Sequence, residues 1–366
     1  MKVVVVGPVA PLRGGIARHT AALARALAAR PGTRLRTVSF ARLYPARLYP
    51  GADERDPALS PDPALSPAFV LVAVDPRTWR RAAAAILADP PELAVIPAWT
   101  FFVAPCLGWI ARRLRRAGVE VALVVHNAED HEAAWWKRRA GAWQLAAADR
   151  IVTHNAALAA AVGPLAPGVP VAVHPHPVYD DYPAPPGILK REAGLELLSF
   201  GLVRAYKGVE TAVEALALAR RRDVRLSVVG EVWEGRAGIE ATVARHGLGD
   251  RLALVDRYVP DDEAADHFAR ADAVVAPYRA VSGSGVVAMA QHYRRPVLAS
   301  DLPGLAEAVA HGTTGWLFPP GDAAALAALI DGPVTRAACA RMAPAIAAAA
   351  GARSWAGLAA AVAGED

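Results

Sequence analysis

The sequence predicts an α/β protein made of two doubly wound parallel sheets, one in each half of the chain. Three observations carry that expectation. Short aliphatic runs alternate with helical patterns throughout both halves. The runs are apolar at successive positions rather than at every second one, as strands covered on both faces require. Between the halves the segment PHPVYDDYPAPPG (175–187) has five prolines and no periodicity, which marks a linker or hinge.

In the first half, VVVVG (3–7), RLRTVSF (34–40), FVLVAV (69–74), LAVI (93–96), EVALVVH (120–126) and RIVTHN (150–155) read as buried strands. The loop GPVAPLRGG (7–15) leads into the helix IARHTAALARALAA (16–29). The nineteen uncharged residues 93–111 end against Arg112, Arg113, Arg115 and Arg116 and are long enough to span a bilayer. Pro97 and Pro105 instead divide them into a strand, an aromatic loop and an amphipathic helix. In the second half, LLSFG (197–201), RLSVVG (225–230), LALVD (252–256), AVVAPY (273–278) and RPVLAS (295–300) are strands, with helices at 208–221 and 262–270 among those between them. The expected domains are 1–178 and 188–350, joined by a hinge at 179–187. Loops beyond the carboxyl ends of two such sheets would line a shared cleft.

The chain has 366 residues, 54% apolar and 20% charged, a composition that supplies large cores and excludes disorder. Cys106 and Cys339 lie in different halves without metal-ligand spacing, so no disulfide framework is expected, and a reducing cytoplasm suits the chain. The run after Met1-Lys2 is too short for a secretory signal. A net charge of +5 permits an anionic partner, and no nucleic-acid module is present. WIARRLRR (109–116) and WWKRRAGAW (135–143) mix aromatic and basic residues; a helix lying on anionic lipid has this composition, but a surface helix with inward-packed tryptophans explains it more simply.

Four loops offer chemistry. Gly14 and Gly15 stand directly before the first helix, where backbone N–H groups and the positive helix end suit a phosphate, although the loop is not GxGxxG and a plain strand-to-helix turn explains it equally well. Gly201 ends a strand, Arg204 and Lys207 follow, and Gly208 opens a helix, so both cations can reach a diphosphate at that helix start. Only four of the 40 basic residues are lysines, Lys207 among them, which points to a need for a compact charge there. Ser282, Gly283, Ser284, Gly285 and Val286 form a second small-residue helix start, with Ser282 or Ser284 as an N-cap. His126 closes a strand where α/β sheets present ligand groups, with His131 and Glu132 just beyond it; no metal spacing is evident. His174 and His176 read as structural.

Taken together, GPVAPLRGGIARHT, VVHNAEDHE, FGLVRAYKG and the run from PYRAVSGSGVV to GTTGWLFPPGD resemble glycosyltransferase family 4. That family has the GT-B fold, two Rossmann-like doubly wound domains facing a central cleft. The resemblance implies a retaining enzyme that moves a sugar from a nucleotide diphosphate sugar to an acceptor hydroxyl, in bacterial surface polysaccharide, glycolipid or other glycoconjugate synthesis. It implies His126, Arg204 and Lys207 as the catalytic set. Gly14 and Gly15 would close over the donor, Tyr258 and Val259 would hold the nucleobase, and the 282–286 loop would hold the sugar and ribose. Arg13, His19 and His131 fall to the acceptor side, which would take a glycan, a lipid-linked or a small-molecule acceptor. The segment 351–366 resembles the helix that crosses back to the first domain. Neither metal nor cofactor is implied, and the setting is the cytoplasm, with room for peripheral contact at the inner face of the membrane.

Two departures matter. The paired glutamates of many relatives fall at Val281 and Met289, and Leu202 stands where many relatives have an arginine. Leaving-group stabilisation by Arg204, Lys207 and helix N–H groups still suffices in principle, with the departing phosphate taking the acceptor proton. The missing carboxylates motivate one rival, a catalytically silent GT-B protein that binds a nucleotide sugar or an assembly partner. A sugar-nucleotide epimerase or a dehydrogenase fits less well, for want of an acid–base set and of GxGxxG.

Overall fold

A computed structural model describes residues 1–45, 53–128, 134–185 and 190–365. The chain divides into two units, Met1–His176 with Ser354–Asp366, and Pro177–Arg353. These divisions stand a few residues from the expected limits at 178 and 350.

The first unit runs β1 (Lys2–Val6), α1 (Gly15–Ala28), β2 (Arg34–Arg42), β3 (Pro67–Val72), α2 (Pro76–Leu87), β4 (Leu93–Ala98) and α3 (Ala104–Arg115). It continues through β5 (Glu120–Val125), α4 (Trp135–Leu145), β6 (Arg150–Thr153), α5 (Ala156–Val162) and β7 (Val171–Val173). All neighbours are parallel, in the order β3-β2-β1-β4-β5-β6-β7. The second unit runs β8 (Leu195–Phe200), α6 (Val209–Leu218), β9 (Val224–Val229), α7 (Arg236–His246), β10 (Leu252–Val255), α8 (Asp261–Arg270) and β11 (Ala273–Ala276). Then come α9 (Gly285–His292), β12 (Val297–Ser300), α10 (Pro303–Ala306), β13 (Gly315–Phe318), α11 (Ala323–Asp331) and α12 (Arg336–Gly351). Its sheet is also parallel, ordered β10-β9-β8-β11-β12-β13. The last helix, α13 (Trp355–Ala363), packs on α1, β5 and β6 of the first unit.

The continuous apolar runs behave as expected in the sheet centres, where Val3–Val6 and Val121–Val125 are at most 1% exposed. Edge strands differ. β3 alternates exposed and half-buried positions over most of its length, with Val70 at 43% and Leu71 buried, because among the described residues no strand pairs beyond it. β10, at the edge of the second sheet, is only half-buried along its length. Two strands went unread: β7 is three residues long, below any detectable period, and β13 lies within the motif-rich run GTTGWLFPPGD. The helix expected at 208–221 is shorter, Val209–Leu218. The uncharged stretch 93–111 becomes β4 and most of α3, with Pro105 in the helix's first turn, as the prolines dictated. The run Arg336–Ala363 is also apolar enough to span a membrane, but it is broken into α12 and α13.

In the second unit, Phe268 on α8 is fully buried between Phe200 and Tyr293, with ring centroids 5.1 Å from each. Replacing it by alanine removes a large buried ring that its neighbours cannot refill. Phe268→Ala should therefore cost about 3–5 kcal/mol, read as a lowered midpoint in chemical denaturation.

Candidate functional site

Each sheet reverses its winding once, between β1 and β4 and between β8 and β11. Loops leaving the carboxyl ends of the strands on either side of a reversal diverge, so a ligand can settle there. In the second unit the two diverging loops are 201–208 and 277–285. A Cβ placed on Gly201 would lie 3.3 Å from Lys207 Nζ and 3.5 Å from Val286 Cγ2, so glycine, ammonium and the first turn of α9 meet at one point. Burial lowers the Lys207 pKa from its usual value. Its Nζ lies 5.4 Å from the centroid of the Tyr278 ring, and no carboxylate pairs with it among the described residues. The Tyr278 hydroxyl, pushed up to about 12 by burial, stays protonated and shares a 3.2 Å hydrogen bond with Ser284 Oγ.

That bond corrects one expectation. Ser284 occupies the N-cap position of α9, yet its hydroxyl turns to Tyr278 and no side chain caps the helix. The N–H groups of Val287 and Ala288 turn back to the Ser284 carbonyl oxygen at 3.1 and 3.4 Å, which leaves those of Gly285 and Val286 in the first turn for a ligand. The loop is held from below by Gly304, where a Cβ would come within 2.8 Å of the Ser282 carbonyl oxygen. Gly208 is equally constrained: its φ is +59° and a Cβ there would sit 2.2 Å from the Pro277 carbonyl oxygen. Val281 and Met289, the positions of the missing carboxylates, are half-buried and buried.

Arg204 is held differently from Lys207. Its Nε and Nη2 donate to Glu234 Oε1 at 3.3 and 3.1 Å, and the backbone N–H of Ala205 donates to Glu234 Oε2 at 2.9 Å. The pair is about 40% exposed on both sides, so it contributes at most about 1 kcal/mol and yields readily to a stronger anion. Tyr258 and Val259 follow β10 at the far edge of the sheet, with β9 between them and β8; Val259 is buried and Tyr258 half-buried. Glu234, Tyr278 and Gly304 were not singled out in the sequence. Only the position of Tyr278 at a strand exit gave any hint.

In the first unit, Gly14 is the N-cap of α1 and Gly15 its first residue; both are exposed, with open space around each. Arg13 is tied through its backbone N–H to the Glu54 carbonyl at 2.9 Å. His131 and Glu132 lie outside the described residues. His19, expected on the acceptor side, is instead 2% exposed and packed among other histidines. Its ring centroid lies 4.5 Å from His126, 4.9 Å from His154, 5.2 Å from His176 and 4.9 Å from Trp355. Burial first, then the neighbouring imidazoles, lowers the pKa of all three of His19, His126 and His154, that of His126 to about 3. His176, read as a structural linker residue, stands in this cluster. Sequence spacing had no way to show it, because successive members are 22 to 107 residues apart.

A depression beside the exits of β4 and β5 is lined by Trp99, Phe101, Asn127, Lys137, Arg138 and Gln144, among others. Lys137 Nζ sits 4.9 Å from the centroid of the Phe101 ring. On α4, Trp135 is 71% and Trp136 48% exposed, contrary to the inward packing expected of these tryptophans. Trp136 meets Phe101 edge to face with ring centroids 5.0 Å apart, and Trp143 meets the helix beneath, where Arg112 lies 3.9 Å from its ring centroid.

Comparison with known proteins agrees with this geometry. Residues 195–332 match the family described as Glycosyl transferases group 1. The GDP-mannose:glycolipid 4-beta-D-mannosyltransferase of Xanthomonas campestris pv. campestris is 28% identical over 235 residues, which cover 62% of this chain and 64% of that protein. The match thus spans less than two thirds of that relative's length. A D-inositol 3-phosphate glycosyltransferase of Pseudarthrobacter chlorophenolicus is 32% identical over 42% of each chain. Sucrose-phosphate synthase from Thermosynechococcus elongatus superposes with a TM-score of 0.75 at 19% identity, covering 100% of this chain and 98% of that one. Anabaena Alr3699/HepE in complex with UDP does so at 0.71 and 15%, covering 100% and 99%. The fold is GT-B.

The histidine cluster makes stability depend on pH. Unfolded, each imidazole has its ordinary pKa of 6.5; folded, each stays neutral well below that. Below 6.5 the unfolded chain therefore binds protons that the folded chain does not, and stability falls by up to about 1.4 kcal/mol per pH unit for each histidine. Melting temperatures measured from about pH 7.5 down to 5.5 should fall steeply, and less steeply in His154→Gln.

Proposed function

We propose that this protein is a glycosyltransferase whose second unit binds a nucleotide diphosphate sugar and whose first unit holds the hydroxyl-bearing acceptor. The observation that carries the proposal is the buried Lys207 ammonium, without a carboxylate partner among the described residues, set against Gly201 and the start of α9 at the sheet reversal. A desolvated cation beside free helix N–H groups stabilises a leaving diphosphate more than an intact glycosyl phosphate. Arg204 adds a second cation on release from Glu234. The Ser282–Val286 loop takes sugar and ribose hydroxyls, and Tyr258 and Val259 the base.

Transfer as proposed draws on charge and position from this chain, with no metal and no other cofactor in the step. With its pKa near 3, His126 is too weak a base to accept the acceptor proton, which favours proton delivery to the departing phosphate and retention of configuration. Buried Nε2 leaves Nδ1 as the ring nitrogen that would meet a sugar or phosphate oxygen. The name of the Xanthomonas relative specifies a beta linkage, so the anomeric configuration of the product, read by NMR, decides between retention and inversion here.

Acceptor binding belongs to the aromatic depression beside α4 together with Arg13, a setting suited to a glycan, a lipid-linked sugar or a polar small molecule. The proposed role is glycolipid or polysaccharide assembly at the cytoplasmic face of a membrane. Exposed Trp135 and Trp136 beside Lys137, Arg138 and Arg139 supply an apolar and basic contact for anionic lipid.

Thermal shift with a panel of nucleoside diphosphates and their sugars should single out one base, and Lys207→Ala should abolish the shift. With that donor, turnover in Lys207→Ala should drop on the order of 10²- to 10³-fold. Stabilisation by a nucleotide sugar with no transfer to any acceptor would favour the silent reading. Co-sedimentation with anionic vesicles should fall at least about tenfold in a Trp135→Ser, Trp136→Ser double variant, since each ring loses its apolar burial.

A further inference from the structure

We infer that the histidine cluster of the first unit is a transition-metal site, with zinc the ion its donor set favours. His19 comes from α1, His126 from the residue after β5 and His154 from the residue after β6. One ring nitrogen from each lies within 4.8 Å of the other two. The Nε2 atoms of all three are shut off from solvent and have no hydrogen-bond partner among the described residues. A plain stack of neutral histidines would be expected to relieve this by ring-to-ring hydrogen bonds, and these rings do not. Three imidazole nitrogens without a thiol or carboxylate make a borderline donor set, suited to zinc, copper or nickel and poor for calcium or magnesium.

Tautomer and charge agree with that assignment. His154 Nδ1 lies 3.1 Å from the His174 carbonyl oxygen. A carbonyl only accepts, so Nδ1 carries the proton and Nε2 keeps its lone pair, which is how an outer hydrogen bond prepares an imidazole for metal. Burial keeps the three rings neutral, the form that coordinates. Tetrahedral zinc with bonds of about 2.0–2.1 Å sets its nitrogens roughly 3.4 Å apart, so modest side-chain rotation closes the site. The fourth position falls to water or to His176, whose ring centroid lies 5.2 Å from that of His19 and 4.9 Å from that of His154. The ion would tie α1 to the exits of two strands, and the inference stands apart from the transferase reading because it is tested by metal content.

The test uses untagged full-length protein, stripped with a chelator and titrated with zinc alone. One equivalent should bind per chain and raise the melting temperature by several degrees. Affinity should fall at least about 100-fold in His19→Gln and His154→Gln, more than losing a mere outer partner costs. His246→Gln, in the other unit, should bind as the wild type does. Cobalt(II) in the wild-type protein should give the intense visible absorption of a tetrahedral nitrogen site, which keeps the proposal decidable even if a variant fails to fold. A wild-type protein that neither retains zinc nor melts higher with it, folded ligand variants that bind as tightly as wild type, or an octahedral cobalt spectrum would each overturn the assignment.

Discussion

The parallel strand pairing of both sheets is the constraint on which the rest of the molecule depends. A parallel strand cannot follow its neighbour through a tight turn, so the chain must cross over, and the crossing helices cover both faces of the sheet. That demands strands apolar at every position, as in Val3–Val6 and Val121–Val125, and it sends the carboxyl ends of all strands to one edge. The proposed site follows from that placement. Wherever the order of winding reverses, two loops part, and the glycine loop 7–15 and the Lys207 and Ser284 loops stand at these two places.

Charge in the second unit is organised around burial rather than number. Lys207 is one of four lysines in a chain of arginines, and burial costs it solvation that an exposed Arg204 does not lose. A desolvated cation interacts more strongly with a diphosphate than an exposed one, because less water screens it. Arg204 rests on Glu234 in an exposed pair of small net worth, so an incoming anion meets little competition there. Tyr278 joins the two loops, under Lys207 through its ring and to Ser284 through its hydroxyl, so the cation and the helix start are held in one arrangement. The hydroxyl that looked like a helix cap in the sequence is thereby used within the 277–285 loop.

The first unit gathers histidines where the second gathers small residues. His19, His126, His154 and His176 converge with Trp355, which arrives on α13 from the far end of the chain. The last helix packs on α1, β5 and β6 and sets Trp355 against His19 and His176, and burial lowers the His19 imidazole pKa. Burying that many polar rings is expensive unless something satisfies their nitrogens. On the opposite account, α4 leaves Trp135 and Trp136 in solvent, an apolar exposure that suits a surface with a partner.

By itself, the sequence determined the class of fold and the places of nearly all strands along the chain, and it marked the loops to which the proposed donor chemistry is assigned. Hydrophobic runs and glycine-bearing strand exits are local features, and local spacing encodes them. The placement of Gly14, Gly15, Lys207 and the Ser282–Val286 loop between strand ends and helix starts was legible for that reason. What only the tertiary structure decided depends on contacts between distant segments. The pairing of Arg204 with Glu234, the close approach of Gly304 to the Ser282 backbone, and the burial of His19 join residues that no periodicity relates. Edge strands misled for the same reason. Whether a face of β3 or β10 is covered depends on what packs beside it, and an apolar run looks the same at the edge of a sheet as at its centre.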